Sequence, residues 1–247
     1  MLDYAPPKDL LAERTIVVTG AGDGIGRALA RGFAAHGATV VLLGRTIPKL
    51  EAVYDEIERA GGPQPAIYPI NFEGATERDY GQLAETLQRE FGSLEGLVHN
   101  AAQLRLLSRM DDYDLATWYQ VLQVNLNAPF MLTQACLPLL RAAADASLVF
   151  VSDTVGRRAK AYWGAYGVSK FGLEGLMGVL AEELGGDGRI RVNSVDPGPC
   201  RTNLRAQAYP GEEPADVKPP EAVLPLFLWL MGPDSAGTNG RSLSVED

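Results

Sequence analysis

The chain is poor in lysine and cysteine, and these shortages exclude several kinds of partner. Its 247 residues include five lysines and carry a formal net charge of −9. Nucleic-acid binding needs clustered positive charge, so no nucleic-acid partner is expected. Cys136 and Cys200 are far apart in the sequence and fit no metal-binding spacing. They predict two free thiols in a reducing compartment and no metal site.

Long apolar runs are also missing. No uncharged apolar stretch approaches the roughly 20 residues that a membrane-spanning helix requires. Residues 1–13 are polar and contain proline, without a basic start followed by an apolar core. This pattern argues against a secretory signal. We therefore expect a cytoplasmic protein without a membrane partner.

Short runs rich in β-branched residues alternate with longer amphipathic segments along the chain. The short runs predict strands at 15–19, 39–43, 66–70, 96–99, 147–151, 191–195 and 242–245. The longer segments predict helices at 24–36, 47–60, 77–91, 115–141 and 165–184. Strands that are apolar throughout and alternate with helices indicate a parallel sheet covered on both faces. The expected fold is a doubly wound α/β (Rossmann) sheet of about seven strands, in a single domain over residues 1–247.

One long polar insertion, at 203–220, interrupts this pattern. Loops of this length without a helix or strand are uncommon in compact domains and usually act as lids or stay disordered. We expect a substrate loop around residues 199–220, with Tyr209 and the region of Trp163 shaping the substrate pocket. No pattern in the sequence identifies the substrate itself or the physiological direction of a reaction.

A glycine-rich turn, residues 19–26, links the first strand to the first helix. Glycines let the backbone turn sharply and approach a pyrophosphate, which a helix N-terminus attracts. The alternative is a tight strand–helix turn without a ligand. Its place after the first strand and before an amphipathic helix favours dinucleotide binding.

The end of the second strand distinguishes between the two nicotinamide dinucleotides. An NAD site usually offers a carboxylate there, which binds the ribose hydroxyls. This chain has Gly44 and Arg45 instead, and a guanidinium can pair with a 2′-phosphate. The alternatives are that Arg45 is a surface residue and that Asp23, in the glycine turn, favours NAD(H). The sequence therefore predicts NADP(H) over NAD(H).

Tyr166 and Lys170 lie four residues apart in a predicted helix, so both project from one face. A free tyrosine has a pKa of about 10, which is too high for acid–base work at neutral pH. A nearby ammonium favours the phenolate, so Lys170 is expected to lower the pKa of Tyr166.

Together these motifs resemble the short-chain dehydrogenase/reductase family. The family's glycine turn, T-G-x-x-x-G-x-G, matches residues 19–26, and its N-A-G motif matches imperfectly at 100–102. Its helix asparagine, Y-x-x-x-K pair and P-G-x-x-x-T motif match Asn125, Tyr166, Lys170, Pro197, Gly198 and Thr202. The motifs keep the family's order over nearly the whole chain, and the segment 228–232 is similar to a bacterial branch of the family.

The resemblance implies a role for each matched residue. Tyr166 would donate or accept the hydroxyl proton, Lys170 would hold the nicotinamide ribose, and Asn125 would anchor a water in the proton relay. An alternative for Asn125 is a polar residue that satisfies a helix kink. The other residues implied in cofactor binding are Gly20, Asp23, Gly24, Ile25, Gly26, Arg45, Asn71, Phe72, Asn100, Ala101, Pro197, Gly198 and Thr202.

One position departs from the family's pattern. The serine that orients the substrate lies thirteen residues before the tyrosine, where this chain has Asp153. An ionised carboxylate has no proton to donate to a substrate oxygen. Asp153 could be protonated, could turn away so that Thr154 donates, or could bind a cationic or hydroxyl-rich part of the substrate; we expect the second. Ser152 points to the opposite face of an extended strand and is not expected to substitute for the serine.

The leading hypothesis is an NADP(H)-dependent enzyme that transfers a hydride between nicotinamide and a carbonyl or secondary alcohol carbon. A second is an NAD(P)-binding protein of the same fold with weak or no catalysis, because Asp153 replaces the serine. A third, an extended-type sugar epimerase or dehydratase, needs a larger C-terminal domain than 247 residues allow. Surplus apolar residues on the two long helices predict a homodimer or homotetramer; they are Met131, Leu132, Leu176 and Met177.

Overall fold

Seven parallel strands form the centre of the computed structural model, which describes residues 4–245. They are β1 (Thr15–Thr19), β2 (Thr39–Gly44), β3 (Ala66–Pro69), β4 (Gly96–His99), β5 (Ala146–Val151), β6 (Ile190–Asp196) and β7 (Ser242–Ser244). Their order across the sheet is β3-β2-β1-β4-β5-β6-β7. Every strand predicted from the sequence is present, with ends that differ by at most one residue. The predicted parallel α/β sheet is confirmed.

Eight α-helices occur within the described part of the chain. They are α1 (Gly24–Ala35), α2 (Ile47–Arg59), α3 (Glu77–Phe91), α4 (Leu115–Leu122), α5 (Ala128–Ala142), α6 (Gly164–Leu184), α7 (Asn203–Ala208) and α8 (Leu224–Met231). On one face of the sheet, α1, α2 and α8 pack through residues such as Leu29, Leu50 and Phe227. On the other face, α3, α5 and α6 pack through residues such as Leu83 and Leu132. The central strands are buried on both sides, which explains their uninterrupted apolar sequences.

The prediction of one helix over 115–141 is wrong. The backbone forms α4, then a π-helical turn at Gln123–Asn127, and then α5. In this turn the Ala128 amide donates to the Gln123 carbonyl, five residues earlier. Apolar residues continue on both sides of the turn, so hydrophobic spacing does not reveal it. Such single π-helical turns are frequent at functional sites.

Two further segments differ from the sequence prediction. The polar insertion 203–220 begins with α7 and contains a short 3₁₀ turn at Pro214–Asp216, so it is not a structureless loop. Helix α8 was not predicted because it is apolar at nearly every position and largely buried. An all-apolar helix has no polar face, so there is no amphipathic period to detect.

The four residues predicted to be surplus to the core do not form an exposed patch. Leu132 and Met177 are buried, so they cannot contact another subunit, and Met131 and Leu176 are half-buried against the core. Other apolar side chains of α4, α5 and α6 are exposed, namely Leu115, Tyr119, Phe130, Val168, Phe171 and Val179. The choice of residues was wrong because helical spacing alone did not show which positions face the sheet.

The strand order reverses at β1, and this reversal positions the candidate site. Strand β1 pairs with β2 on one side and with β4 on the other. Connections from β1 and β4 therefore leave in opposite directions, which opens a crevice at the carboxyl ends of these strands. The glycine turn follows β1 directly, and Asn100 follows β4.

No helix within residues 4–245 is both long and apolar enough to cross a membrane. Over the same residues, no three His, Cys, Asp or Glu side chains are grouped so that they could hold a metal ion. Cys136 and Cys200 are buried thiols. Residues 1–3, which begin the segment used for the secretory-signal prediction, and residues 246–247 of the predicted domain lie outside the described residues.

Candidate active site

A cavity of about 750 Å³ runs along the carboxyl ends of the strands. Its walls come from the glycine turn, from the ends of several strands, and from the segment that contains α7. All the predicted site residues line it except Gly26 and Asn125: Gly20, Asp23, Gly24, Ile25, Arg45, Asn71, Phe72, Asn100, Ala101, Asp153, Tyr166, Lys170, Pro197, Gly198 and Thr202. The structure thus brings together residues from seven separate segments of the chain.

The glycine turn has a backbone that only glycine accommodates easily. Gly20 has a φ of 65°, and Gly24 has a φ of 49° at the start of α1. A Cβ atom at Gly26 would lie 2.2 Å from the Gly20 carbonyl oxygen, so a side chain there would push the turn away from the helix. The amide side chain of Asn100 donates to the Thr19 carbonyl at 2.9 Å and ties the turn to β4. This open turn at a helix N-terminus fits the pyrophosphate of a dinucleotide.

Asp23 joins the glycine turn to two other elements. One of its carboxylate oxygens caps α1 by accepting from the Gly24 amide at 2.8 Å. The other accepts from the Lys49 ammonium at 2.5 Å and from the Asn203 side-chain amide at 2.8 Å. Partial burial opposes ionisation, but the hydrogen bonds from Lys49 and Gly24 lower the pKa of Asp23 overall. Lys49 was not among the predicted site residues, although it lies only four residues after Arg45.

Arg45 follows β2 at the rim of the cavity, with 63% of its side chain exposed. Its guanidinium pairs with the Glu73 carboxylate at 3.1 Å, and Arg105 pairs with the same oxygen at 2.5 Å. Glu73 was also not predicted as a site residue, because it follows β3 and only the fold brings it to Arg45. The rim therefore offers two cations, Arg45 and Lys49, each paired with one carboxylate.

Asn71 and Phe72 contribute differently to the neighbouring wall. The Asn71 side-chain oxygen accepts from the Glu73 amide at 3.2 Å, which leaves one lone pair toward other donors. The Phe72 ring is buried and stacks on Tyr80, with ring centroids 6.2 Å apart. The ring is therefore part of the core, and Phe72 does not present it to a ligand.

Tyr166 and Lys170 lie one turn apart on α6, and both are almost fully buried. The Lys170 ammonium donates to the Val151 carbonyl at 2.6 Å and lies 5.6 Å from the centroid of the Tyr166 ring. Val151 ends β5, so this hydrogen bond fixes the helix against the sheet at the base of the cavity.

Asp153 does not turn away from the site, so that prediction is wrong. The backbone of Asp153 is extended, and its side chain accepts from the Val155 amide at 3.0 Å, at the start of a 3₁₀ turn. The other carboxylate oxygen accepts from the Tyr166 hydroxyl at 2.9 Å. The Thr154 hydroxyl donates to Asp196 at 2.7 Å instead of facing Tyr166. Asp153 thus occupies the position next to the tyrosine hydroxyl.

The expected effect of Lys170 on Tyr166 is also not what the structure shows. Burial raises the pKa of Tyr166 well above its usual value, and the negative charges of Asp153 and Asp196 raise it further. Burial lowers the pKa of Lys170 to about 8, although Asp153 and Asp196 act in the opposite direction. The tyrosine therefore holds its proton firmly, because a phenolate beside Asp153 would place two negative charges together.

Asn125 lies in the π-helical turn and is buried behind the cavity wall. Its side-chain oxygen accepts from the Gln103 amide at 2.9 Å, and its amide donates to the Gln103 carbonyl at 3.0 Å and to the Ser169 hydroxyl at 3.1 Å. Ser169 in turn donates to the Tyr166 carbonyl at 2.7 Å. Asn125 therefore satisfies polar groups at a helix irregularity, the alternative considered for it, and also supports the backbone of α6.

The segment after β6 closes the other side of the cavity. Gly198 has a φ of 62°, and its amide donates to Asp196 at 2.9 Å. The Thr202 hydroxyl accepts from the Arg205 amide at 3.1 Å and caps α7. Its methyl group lies 3.1 Å from the position of a Cβ atom at Gly24, so the two loops meet across the cofactor half of the cavity.

The sequence profile of the family described as "short chain dehydrogenase" matches residues 14–213. The chain belongs to the short-chain dehydrogenase family. This match covers the glycine turn, the Tyr166–Lys170 pair and the whole cavity-lining segment up to α7. As a member of this family the protein is an oxidoreductase.

Several short-chain dehydrogenases are similar to the chain over nearly its full length. The uncharacterized oxidoreductase YciK of Escherichia coli is 45% identical over 245 residues, which cover 99% of this chain and 96% of that protein. The predicted bacterial branch, that of YciK-like oxidoreductases, is thereby confirmed. A short-chain dehydrogenase structure from Pseudomonas syringae is 51% identical, with a TM-score of 0.97 and 99% coverage of both chains. One from Shigella flexneri, solved in complex with NADP, is 44% identical, with a TM-score of 0.95 over 98% of this chain and 100% of that one.

Proposed function

We propose that the protein is an NADP(H)-dependent oxidoreductase that transfers a hydride between nicotinamide and a carbonyl or secondary alcohol carbon. The observation that carries this proposal is the convergence of the glycine turn and the Tyr166–Lys170 pair on one cavity. Bound nicotinamide supplies or accepts the hydride, whereas Tyr166 holds the proton that the substrate oxygen gains or loses.

Two observations support NADP(H) as the cofactor. The similar protein from Shigella flexneri was solved with NADP. In this chain Arg45 and Lys49 lie at the rim where the 2′-phosphate of NADP(H) is expected. The phosphate would replace Glu73 as the partner of Arg45, and a guanidinium binds a phosphate through parallel hydrogen bonds. When no phosphate is bound, the ion pair with Glu73 keeps the Arg45 guanidinium at the rim of the cavity.

Tyr166 starts in the protonated form that carbonyl reduction requires. Tyr166 keeps its proton at neutral pH because its pKa is raised by burial and by Asp153. A protonated tyrosine can act as the general acid toward a carbonyl oxygen. Lys170, charged at pH 7, would hold the ribose hydroxyls of the cofactor, and Asn125 would support this arrangement through Ser169. The segment 199–220, with α7, would form the substrate side of the cavity.

A second candidate function is cofactor binding with weak or no catalysis. The specific observation behind it is the hydrogen bond from the Tyr166 hydroxyl to the Asp153 carboxylate. In this arrangement the proton points at Asp153, and the hydroxyl must rotate before it can serve a substrate. This rotation costs the hydrogen bond to a charged acceptor, about 1.5–3 kcal/mol.

Turnover separates the two candidates. NADPH oxidation is followed at 340 nm with a panel of aldehydes and ketones, using the wild-type protein and Tyr166→Phe. The proposed enzyme oxidises NADPH with at least one carbonyl compound, and the variant binds NADPH equally well but loses turnover by at least about 100-fold. Tight NADPH binding without turnover of any compound by the wild-type protein would support the cofactor-binding alternative instead.

We also propose that the protein forms a homodimer or homotetramer. The exposed apolar side chains of α4, α5 and α6 support this, because α4 packs on α6 and the π-helical turn at Gln123–Asn127 contacts all three helices. Contiguous exposed apolar surface on a soluble protein usually marks an interface.

A further inference from the structure

The substrate half of the cavity contains one exposed cation, Lys160, that has no carboxylate partner among the described residues. The other positively charged side chains of the lining are engaged: Arg45 with Glu73, Lys49 with Asp23, and Arg205 with Glu212. Lys170 is buried against the Val151 carbonyl. Lys160 also lines the cavity but makes no ion pair within the part of the chain that the structure describes.

Two aromatic rings hold the Lys160 ammonium in place. It donates to the Tyr209 hydroxyl at 2.9 Å and lies 5.2 Å from the centroid of that ring and 5.5 Å from the centroid of Trp163. Ring faces attract a cation without supplying a full negative charge. An ammonium has three N–H donors, so two remain for a ligand after the bond to Tyr209. The charge therefore lies next to these two rings and is not neutralised by a carboxylate.

The backbone next to Lys160 adopts an unfavourable conformation to hold this arrangement. Tyr162 has a φ of 74°, which is rare for an aromatic residue, yet its own ring is exposed. The carbonyl of Tyr162 accepts from the Ser108 amide at 3.0 Å, and a Cβ atom at Gly164 would lie 2.1 Å from the Tyr113 ring. Contacts with the loop after β4 thus clamp the turn that carries Lys160 and Trp163. Strain of this kind is concentrated at ligand-binding sites.

Trp163 connects this cation to the proton donor. Its ring centroid lies 5.5 Å from that of Tyr166 and 6.0 Å from that of Tyr209. A substrate whose carbonyl group reaches the Tyr166 hydroxyl can therefore end beside Lys160, with the buried Trp163 ring between these two side chains. A single ammonium suits a singly charged group better than a phosphate, which usually recruits an arginine or a helix N-terminus as well.

We propose that the substrate is a carbonyl compound that carries a carboxylate, and that Lys160 binds this carboxylate. The proposal rests on the oxidoreductase function given above. It makes Lys160 a specificity-determining residue, because a charge-assisted hydrogen bond discriminates between a carboxylate and a neutral group of the same shape.

Two aromatic aldehydes of nearly equal shape test the proposal, 4-carboxybenzaldehyde and its neutral amide, 4-carbamoylbenzaldehyde. The kcat/KM for each is measured with NADPH for the wild-type protein, Lys160→Met and Lys160→Arg. Lys8→Met is the matched control, because it removes the same charge from an exposed residue outside the cavity. The second measurement is calorimetric binding of 4-(hydroxymethyl)benzoate and its amide to the complex with NADP⁺.

We expect the wild-type protein to prefer the carboxylate, and Lys160→Met to reduce kcat/KM for the carboxylate by about 10- to 100-fold. The amide changes by less than about 2-fold in the same variant, Lys160→Arg keeps most of the preference, and Lys8→Met keeps all of it. Equal losses on both aldehydes in Lys160→Met, or a wild-type preference for the amide, would overturn the proposal. If neither aldehyde is turned over but the benzoate binds more tightly in a Lys160-dependent way, the anion site stands and the oxidoreductase function fails.

Discussion

Replacing Asp153 by serine should make the protein a faster reductase, because the carboxylate opposes the charge that develops during reduction. The Asp153 oxygen lies 2.9 Å from the Tyr166 hydroxyl oxygen. A carbonyl oxygen that accepts a proton from Tyr166 must approach the same hydroxyl within hydrogen-bond distance. It then lies about 5 Å from the carboxylate, given ordinary hydrogen-bond lengths. As hydride arrives at the carbonyl carbon, negative charge grows on this oxygen.

The repulsion can be sized from that separation. Two unit charges about 5 Å apart repel by roughly 3 kcal/mol at an effective dielectric constant of about 20. A half-developed charge in the transition state feels about half of this, which corresponds to roughly a tenfold change in rate. Serine adds a neutral donor to the oxygen, worth about 1 kcal/mol. Asp153→Ser should therefore raise kcat/KM for reduction by about 10- to 100-fold.

The assay is NADPH oxidation at pH 7 with a neutral aldehyde such as 4-carbamoylbenzaldehyde, so that the substrate brings no charge of its own. Asp153→Asn serves as the matched control, because it removes the charge and keeps the shape. Thr154→Val should change kcat/KM by less than about 2-fold, since the Thr154 hydroxyl faces Asp196 rather than Tyr166. If Asp153→Asn abolishes turnover while Thr154→Val is silent, the reaction needs the carboxylate and the electrostatic argument is wrong.

Three further predictions concern the cofactor, the buried lysine and the subunit interface. Arg45→Ala should weaken NADPH binding by about 1.5–3 kcal/mol and leave NADH binding unchanged; equal weakening of both in fluorescence titrations would contradict the assignment of the 2′-phosphate. The pKa of Lys170 is about 8 in the folded protein and 10.5 ordinarily. Between pH 8 and pH 10.5 the unfolded chain therefore binds more protons than the folded protein. The free energy of unfolding should rise with pH over this range. Urea unfolding should show a gain of about 2 kcal/mol between pH 7.5 and 9.5 that Lys170→Met lacks, and identical slopes for both proteins would refute the burial of a charged lysine. Light scattering should give a multiple of 26.5 kDa for the wild-type protein and a smaller species for Phe171→Glu. A wild-type monomer at micromolar concentration would count against the interface.

Local sequence patterns were sufficient to predict most of the fold. Strands buried on both faces are continuous apolar runs that begin and end with the strand. The ends of the strands were therefore predicted within one residue. Helix α8 and the π-helical turn at Gln123–Asn127 were missed for opposite reasons. The former has no polar face, and the latter depends on hydrogen bonds that hydrophobic spacing does not record.

The candidate site was predictable where a motif is local and unpredictable where the fold brings distant residues together. The glycine turn and the Tyr166–Lys170 pair are read from neighbouring residues. The hydrogen bond between Asp153 and Tyr166 depends on how the chain bends after β5. Because the sequence does not show this bend, Asp153 was wrongly expected to turn away from the site. Lys160 and Tyr209 lie 49 residues apart, and no spacing rule links them before α7 is placed.

The reversal of strand order at β1 also has a consequence for folding. In this sheet Val17 pairs with Leu97, about 80 residues later, and this is the longest chain closure between any two paired strands of the described residues. Pairing strands that are far apart in the sequence restricts the chain between them, and this entropy is lost before the new contacts compensate for the loss. Such pairings therefore slow folding. The crevice for the cofactor lies between β1 and β4, so it cannot exist until this closure has occurred. A chain that has formed only its first βαβ unit already contains the glycine turn, but it lacks Asn100 against Thr19 and therefore one wall of the site.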